Sequence, residues 1–362
     1  MTGADLRSTK DSGIQVLRGV AVLLMVAGHV IGSGPGRGLG VPDDSAWRWG
    51  YTALEDVRMP LFTVVSGFVY GYRPLPKGTS LAPLVRGKVR RLLVPLAVVG
   101  TAYFLVQSTV PGTNRSRSWG ELWSIYVLPY EHFWFLQAIF LIFLIVGALD
   151  ALGVLASPRR LLLVVLLTSA GDVLLRVPSA FDVLSINGAL RLLPFFLLGY
   201  GVHRHEVRLT RRSGLLLALW LGASYAVWAA LLAGEEGPEG AARRALSLSI
   251  GIPAVILLLD LRSRLRSRAL AAVGGFSFGI YLLHVFGTAG ARMLAELLGL
   301  TSTGLLFLLS LAAGIAAPIA FERATGHVPM VSWAVLGQRP LRRRARDRVP
   351  YETLGPTGDS VR

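Results

Sequence analysis

Cysteine is absent from the 362 residues, which excludes disulfides, thiolate nucleophiles and cysteine-ligated metal sites. Histidine is scarce, with six residues, and no histidine or carboxylate spacing forms a strong metal-ligand pattern; no metal is expected. Acidic residues are also few, 21 against 37 lysines and arginines, giving a net charge of +16. No solenoid-type repeat and no clear inverted repeat of the transporter kind is visible. Between the apolar blocks, no stretch is long enough to form a separate soluble domain.

What fills the chain instead is apolar. Hydrophobic residues make up 53%, the mean hydropathy is +0.56, and the apolar residues fall in blocks. A hydrocarbon core of roughly 30 Å takes about 20 apolar helical residues to cross. Ten such blocks lie near 14–32, 51–71, 91–110, 132–154, 160–176, 186–202, 214–233, 246–261, 272–289 and 303–321. The expected fold is therefore an all-α polytopic membrane protein of about ten transmembrane helices. The first block is expected to stay as a helix, because it is long and "IGSGPGRGLG" after it lacks a small-x-small cleavage site.

The basic residues alternate in density between successive loops. Loops on one side carry Arg7 and Lys10, the run from Arg73 to Arg91, Arg159 and Arg160, Arg204 to Arg212, Arg262 to Arg268, and the arginines from Arg323 onward. The opposite loops hold far fewer. This pattern places both termini in the cytoplasm, and an even number of spans agrees with it. The charge is thus accounted for by topology and attraction to anionic membrane lipids, and nucleic acid is not an expected partner. Residues 1–335 read as one transmembrane domain, and 336–362 as a basic cytoplasmic tail with too few apolar residues to bury. Residues 31–50 form a Gly-rich outer loop, 72–91 the longest and most basic internal cytoplasmic loop, and 111–131 the longest outer loop, whose aromatics suit the membrane surface or a cover over a site.

Within the first span, "LRGVAVLLMVAGHV" puts Arg18 and His29 eleven residues apart, close to three helical turns, so both project from one face about 16 Å apart. Ionisable groups in a membrane helix are costly and normally face a bundle interior or a water-filled cavity. Arg18 as a snorkelling interfacial anchor and His29 as an interhelical contact are the structural alternatives. Together they suit an extended ligand with phosphates at Arg18 and its reactive end at His29, the shape of a coenzyme A thioester.

Six segments, in order along nearly the whole chain, resemble the acyltransferase 3 family, the integral-membrane O-acyltransferases of cell-surface sugars. They are "RGVAVLLMVAGH" (18–29), "MPLFTVVSGFVYGY" (59–72), "KVRRLLVP" (88–95), "HFWFLQAIF" (132–140), "LPFFLLGYGV" (193–202) and "SFGIYLLH" (277–284). The resemblance implies an acyl-CoA donor, with acetyl-CoA the expected one, used from the cytoplasmic side of the cell membrane. The implied acceptor is a hydroxyl of an extracytoplasmic carbohydrate or glycosylated product. His29 occupies the family's catalytic position; general base and transient acyl carrier are both open to it. Arg18, Arg90 and Arg91 are the expected donor-phosphate residues, since guanidinium binds phosphate bidentately. Two departures stand out. Gln15 lies where the family often has an acid, and Arg58 where related members often have histidine; Arg58 is expected to act in an ion pair.

Glu55 and Asp56, at the outer start of the second span, are candidates to orient His29 or hold a sugar. His132 and Trp134 open the fourth span as candidate acceptor or support residues, Trp134 as a sugar platform or as part of an interfacial belt. Ser277, Tyr281 and His284 share one helix face, as support residues or as an interhelical hydrogen-bond stripe. Ser66 is expected to serve close packing beside Gly67. A polytopic exporter of glycan or lipid, without acyl chemistry, is the alternative reading; Gly/Pro-broken helices in matched halves would favour it.

Overall fold

The computed structural model describes residues 12–110, 118–233 and 237–338. Among them no strand is present, and the fold is a bundle of helices. The long ones are α1 (Ser12–Ile31) and α2 (Ala46–Tyr70). After the short α3 (Ala82–Lys88) come α4 (Val94–Thr109), the single turn α5 (Ser124–Val127), α6 (Trp134–Ala151) and α7 (Pro158–Leu174). They are followed by α8 (Ile186–Arg204), α9 (Arg211–Ala233), α10 (Gly240–Leu261), α11 (Arg268–Gly275), α12 (Ser277–Leu297), α13 (Thr303–Thr325) and α14 (Pro329–Leu336).

Eight helices among the described residues are long and apolar enough to cross a membrane. The remaining two expected spans coincide with α2 and α7. The first carries Arg48, Glu55, Asp56 and Arg58 within its 25 residues, and the second is 17 residues long. Their polar content and length, rather than a missing helix, separate the count of eight from the expected ten. The outer surface of the bundle is apolar: α9 presents Leu215, Leu216, Leu219 and Val227, all exposed. Such a face is stable only against lipid or other protein.

Close backbone approaches set the arrangement around the centre. In α2 and α8, a Cβ on Gly67 would lie 1.9 Å from the Phe196 carbonyl oxygen, and one on Gly199 1.9 Å from that of Val64. Without a hydrophobic effect between lipid-embedded helices, dispersion at such small-residue crossings carries the association. Ser66, beside Gly67, bonds the Phe62 carbonyl of its own helix at 2.8 Å. α1 packs against α2, α11, α12 and α13, so the segment bearing Arg18 and His29 is central.

Three local features lie outside the expected outline. The basic stretch 72–91 is helical from Ala82, with a π-turn at Val89–Leu93 leading into α4. Pro95 has no N–H to donate, and the Val94 N–H reaches back five residues to Val89, so the altered register accommodates the proline without ending the helix. Second, the block 272–289 is interrupted at Phe276, and its long helix begins at Ser277 and runs to Leu297. Gly274 lies where a Cβ would meet the Gln15 carbonyl oxygen at 2.0 Å; α11 is held against α1 by that approach and the chain turns before α12. Third, α14 packs beside α4, Leu336 is buried, and Arg90 donates to the Gly337 carbonyl. The basic tail beyond 338, and 111–117 of the outer loop, lie outside the described residues.

Candidate active site

At the end of the bundle where α1 stops and α2 begins, a cavity of about 760 Å³ opens, within the size range of small-molecule sites. His29 is exposed to it, one residue beyond Gly28 and one turn beyond Met25, which also line it. Two further imidazoles converge there. The His29 ring lies 4.9 Å from that of His284 and 5.9 Å from that of His132, and the latter two are 4.9 Å apart. His132 and His284 are buried behind His29.

Backbone carbonyls orient the two buried rings. His284 Nδ1 is 2.9 Å from the Tyr281 carbonyl oxygen; a carbonyl can only accept, so Nδ1 carries the proton and Nε2 the lone pair. That Nε2 is buried without a hydrogen-bond partner. His132 Nε2 faces the Leu282 carbonyl at 3.4 Å, and the Tyr281 hydroxyl donates to the His132 carbonyl. The Tyr281 hydroxyl and the Leu282 carbonyl thus hold the turn bearing His132 against α12. Ser277, one turn before Tyr281 on the same helix, is half-buried and does not line the cavity. No group of three or more His, Asp or Glu among the described residues is arranged to hold a metal ion.

The loop after α1 forms the rim. Leu39 N–H bonds back to the Val30 carbonyl at 2.9 Å, Gly32 and Gly38 adopt φ of 85° and 57°, and the buried Arg48 donates to the carbonyls of Gly32 and Val41. Glycine takes left-handed φ at no steric cost; a Cβ at Gly32 would lie 2.2 Å from the Arg37 carbonyl oxygen and one at Gly38 2.4 Å from that of Val30, so the loop closes on itself only with glycine there. Across from it, Tyr130 donates to Gln107 at 2.7 Å and Gln137 to the carbonyls of Tyr126 and Leu128. The described part of the outer loop is therefore pinned onto the bundle, and Glu131, His132 and Trp134 reach the cavity from it. Trp134 fits because Gly188 leaves its ring room: a Cβ there would lie 2.7 Å from it.

The acidic pair does not meet His29 through a hydrogen bond. Asp56 is buried and accepts from Arg191 (3.2 Å), from Arg243 (2.8 and 3.2 Å) and from Ser247 (2.6 Å). Glu55, on the cavity wall, is 3.4 Å from Arg243. Arg58 is buried with its guanidinium 4.1 Å from the Tyr51 ring centroid; among the described residues it makes no ion pair, contrary to expectation. Its Nη1 occupies the space beside Gly28, 1.5 Å from where a Cβ would be.

Arg18, half-buried on α1, does not line this cavity, nor do Arg90 and Arg91 of the π-turn. It lies toward the opposite end, where α1 begins and α2, α8 and α10 finish. A second cavity of about 520 Å³ there is bounded by His203, Arg204, Arg208 and Arg262. Wall residues that the sequence did not single out are Arg37, Tyr51, Tyr103, Gln107, Glu131, Arg191 and Arg292. The Gly-rich loop was the one local signal for this rim.

An all-α bundle of membrane-length helices defines a polytopic membrane protein, and three imidazoles meet at an open cavity within it. The chain belongs to the acyltransferase 3 family, whose acyltransferase domain matches residues 11–323. It is accordingly a membrane acyltransferase. No curated protein and no solved structure matches it.

Proposed function

We propose that the protein is an acyl-CoA-dependent O-acyltransferase of the cell membrane, acetyl-CoA being its donor, that acylates a hydroxyl of an extracytoplasmic carbohydrate or glycosylated product. The observation that carries this reading is the placement of His29. It is the single exposed member of a three-imidazole cluster, set at the base of a cavity large enough for a sugar, on the helix that also bears Arg18. A neutral imidazole there accepts the acceptor's hydroxyl proton as the oxygen attacks the thioester carbonyl, or takes the acyl group itself before passing it on. Arg18, Arg90 and Arg91 serve the donor phosphates from the basic end. The membrane supplies the lipid partners, and no nucleic acid is involved.

The test is mass spectrometry of surface glycans and secreted glycosides from a deletion strain carrying wild type or His29→Ala. Loss of a proton-transfer group costs about 10²- to 10⁴-fold, so acylation is expected to disappear with His29→Ala while the protein remains folded, because the ring makes no hydrogen bond among the described residues. Unchanged acylation would sink the mechanism. Coenzyme A is further expected to raise the thermal unfolding midpoint by binding the native state, less so in Arg18→Ala. No effect of coenzyme A at any concentration would favour an exporter.

A further inference from the structure

We infer that the acceptor is anionic, with a carboxylate or phosphate on or beside the sugar that is acylated, and that Arg58 is the residue that binds that group. This rests on the acyltransferase reading and adds the chemical class of its acceptor.

Arg58 lines the cavity yet is only 8% exposed, and no carboxylate among the described residues pairs with it. A largely buried cation without a counter-ion has lost much of its hydration, keeping only the access the cavity gives it, and is costly. The Tyr51 face, 4.1 Å away, returns part of that loss. An oxyanion in the cavity returns the rest, and the planar guanidinium fork matches carboxylate and phosphate in two parallel hydrogen bonds.

The other arginines do not compete for the role. Arg191 is tied to Asp56, and Arg292 to Glu296 at 3.2 Å. Arg37, exposed on the rim, adds attraction on the way in. Against these stand Glu55, held by Arg243, and Glu131, so the wall keeps an excess of cations. Position gives the specificity. The guanidinium sits against Gly28, the neighbour of His29, so a group bound by Arg58 lies beside the reacting imidazole. The anion therefore belongs to the same sugar as the acylated hydroxyl, or to its anomeric oxygen.

The test compares ligands on the full chain in detergent micelles or nanodiscs. Methyl β-glucuronoside and glucose 1-phosphate represent the two anion sources, methyl β-glucoside is the neutral control, and coenzyme A is included as the competing anion. Thermal unfolding midpoints are followed against ligand concentration. One or both anionic sugars are expected to raise the midpoint well above the neutral one, and the member that does so identifies the source. In Arg58→Gln the apparent affinity for that sugar falls at least tenfold, and Arg58→Lys retains an intermediate value. The proposal is overturned if wild type treats neutral and anionic sugars alike, if the anionic effect survives in Arg58→Gln, or if only the coenzyme A effect is lost. Should Arg58→Gln not fold, the wild-type comparison and Arg58→Lys decide. Acetyl-CoA consumption is assayed in parallel; its absence with every acceptor would sink the transferase reading and leave the binding comparison standing.

Discussion

At the scale of single residues, the unusual feature is a histidine cluster ordered by backbone carbonyls instead of by acids. Glu55 and Asp56 are engaged by Arg243, and Asp56 also by Arg191 and Ser247, so the orientation of His132 and His284 falls to the Tyr281 hydroxyl and to carbonyls of α12. Tyr281→Phe isolates that contribution. It keeps the ring but leaves the buried His132 carbonyl without its donor, at a cost of about 1–3 kcal/mol. The expected result is a midpoint lowered by a few degrees together with a fall in transfer rate, read by thermal unfolding and acetyl-CoA consumption. Tyr281 is a positioning residue, so the loss belongs in turnover more than in donor affinity; a lowered midpoint with unaltered turnover would show that His132 does not depend on this bond. Gly28→Ala is the complementary change. Its Cβ would overlap Arg58 Nη1, a flexible side-chain end that can swing aside, so the fold should persist while the preference for an anionic sugar falls toward that of Arg58→Gln.

Among the helices, glycines divide by what they touch. Gly67 and Gly199 face backbone across the α2 and α8 crossing, where a Cβ on either would lie 1.9 Å from a carbonyl oxygen of the other helix, and a backbone cannot rotate away. Gly222 on α9 has nothing within 4 Å of its Cβ position. Gly67→Ala is therefore expected to destabilise by about 1–3 kcal/mol or more, as overpacking does, and Gly222→Ala to be neutral or slightly stabilising, since alanine is the better helix former by roughly 1 kcal/mol. Equal midpoints for the two variants, by thermal unfolding in the same detergent, would contradict this account of the crossing. The same distinction explains what the sequence could disclose. α1, α9 and α13 follow long apolar runs, and their bounds were legible to within a few residues. The break before Ser277 and the helical start at Ala82 were not, because the first is decided by Gly274 meeting α1 and the helix from Ala82 joins α4 through a π-turn at Val89–Leu93. At the site, His29 stood out as an ionisable group in an apolar run. That His132 and His284 would join it, 103 and 255 positions further along the chain, is a product of tertiary packing, as is the gathering of Arg37, Glu131, Arg191 and Arg292 from four separate segments.

Taken as one object, the molecule has two unlike ends. One gathers the loop after α1, the starts of α2 and α8 and the cavity with His29; the other gathers the start of α1 and the finishes of α2, α8 and α10 around His203, Arg204, Arg208 and Arg262. The density of arginine at the second end is what the positive-inside rule assigns to the cytoplasm, and the proposed transfer from a cytoplasmic donor to an outer acceptor would require opposite access of this kind. The absence of cysteine makes the orientation directly measurable, because one introduced thiol is then the only one in the chain. Ser33 and Ser302 are exposed at the cavity end, and Ser80 and Ser263 at the basic end. In intact cells or spheroplasts, a membrane-impermeant maleimide is expected to label Ser33→Cys and Ser302→Cys without permeabilisation, and Ser80→Cys and Ser263→Cys only after it. All four changes replace an exposed hydroxyl with a thiol of similar size, so the fold should be indifferent to them. The reverse pattern would turn the bundle over and place the His29 cavity in the cytoplasm; labelling of Ser33→Cys and Ser302→Cys from different sides would mean that the number of crossings between them is odd, against the pairing of ends observed here.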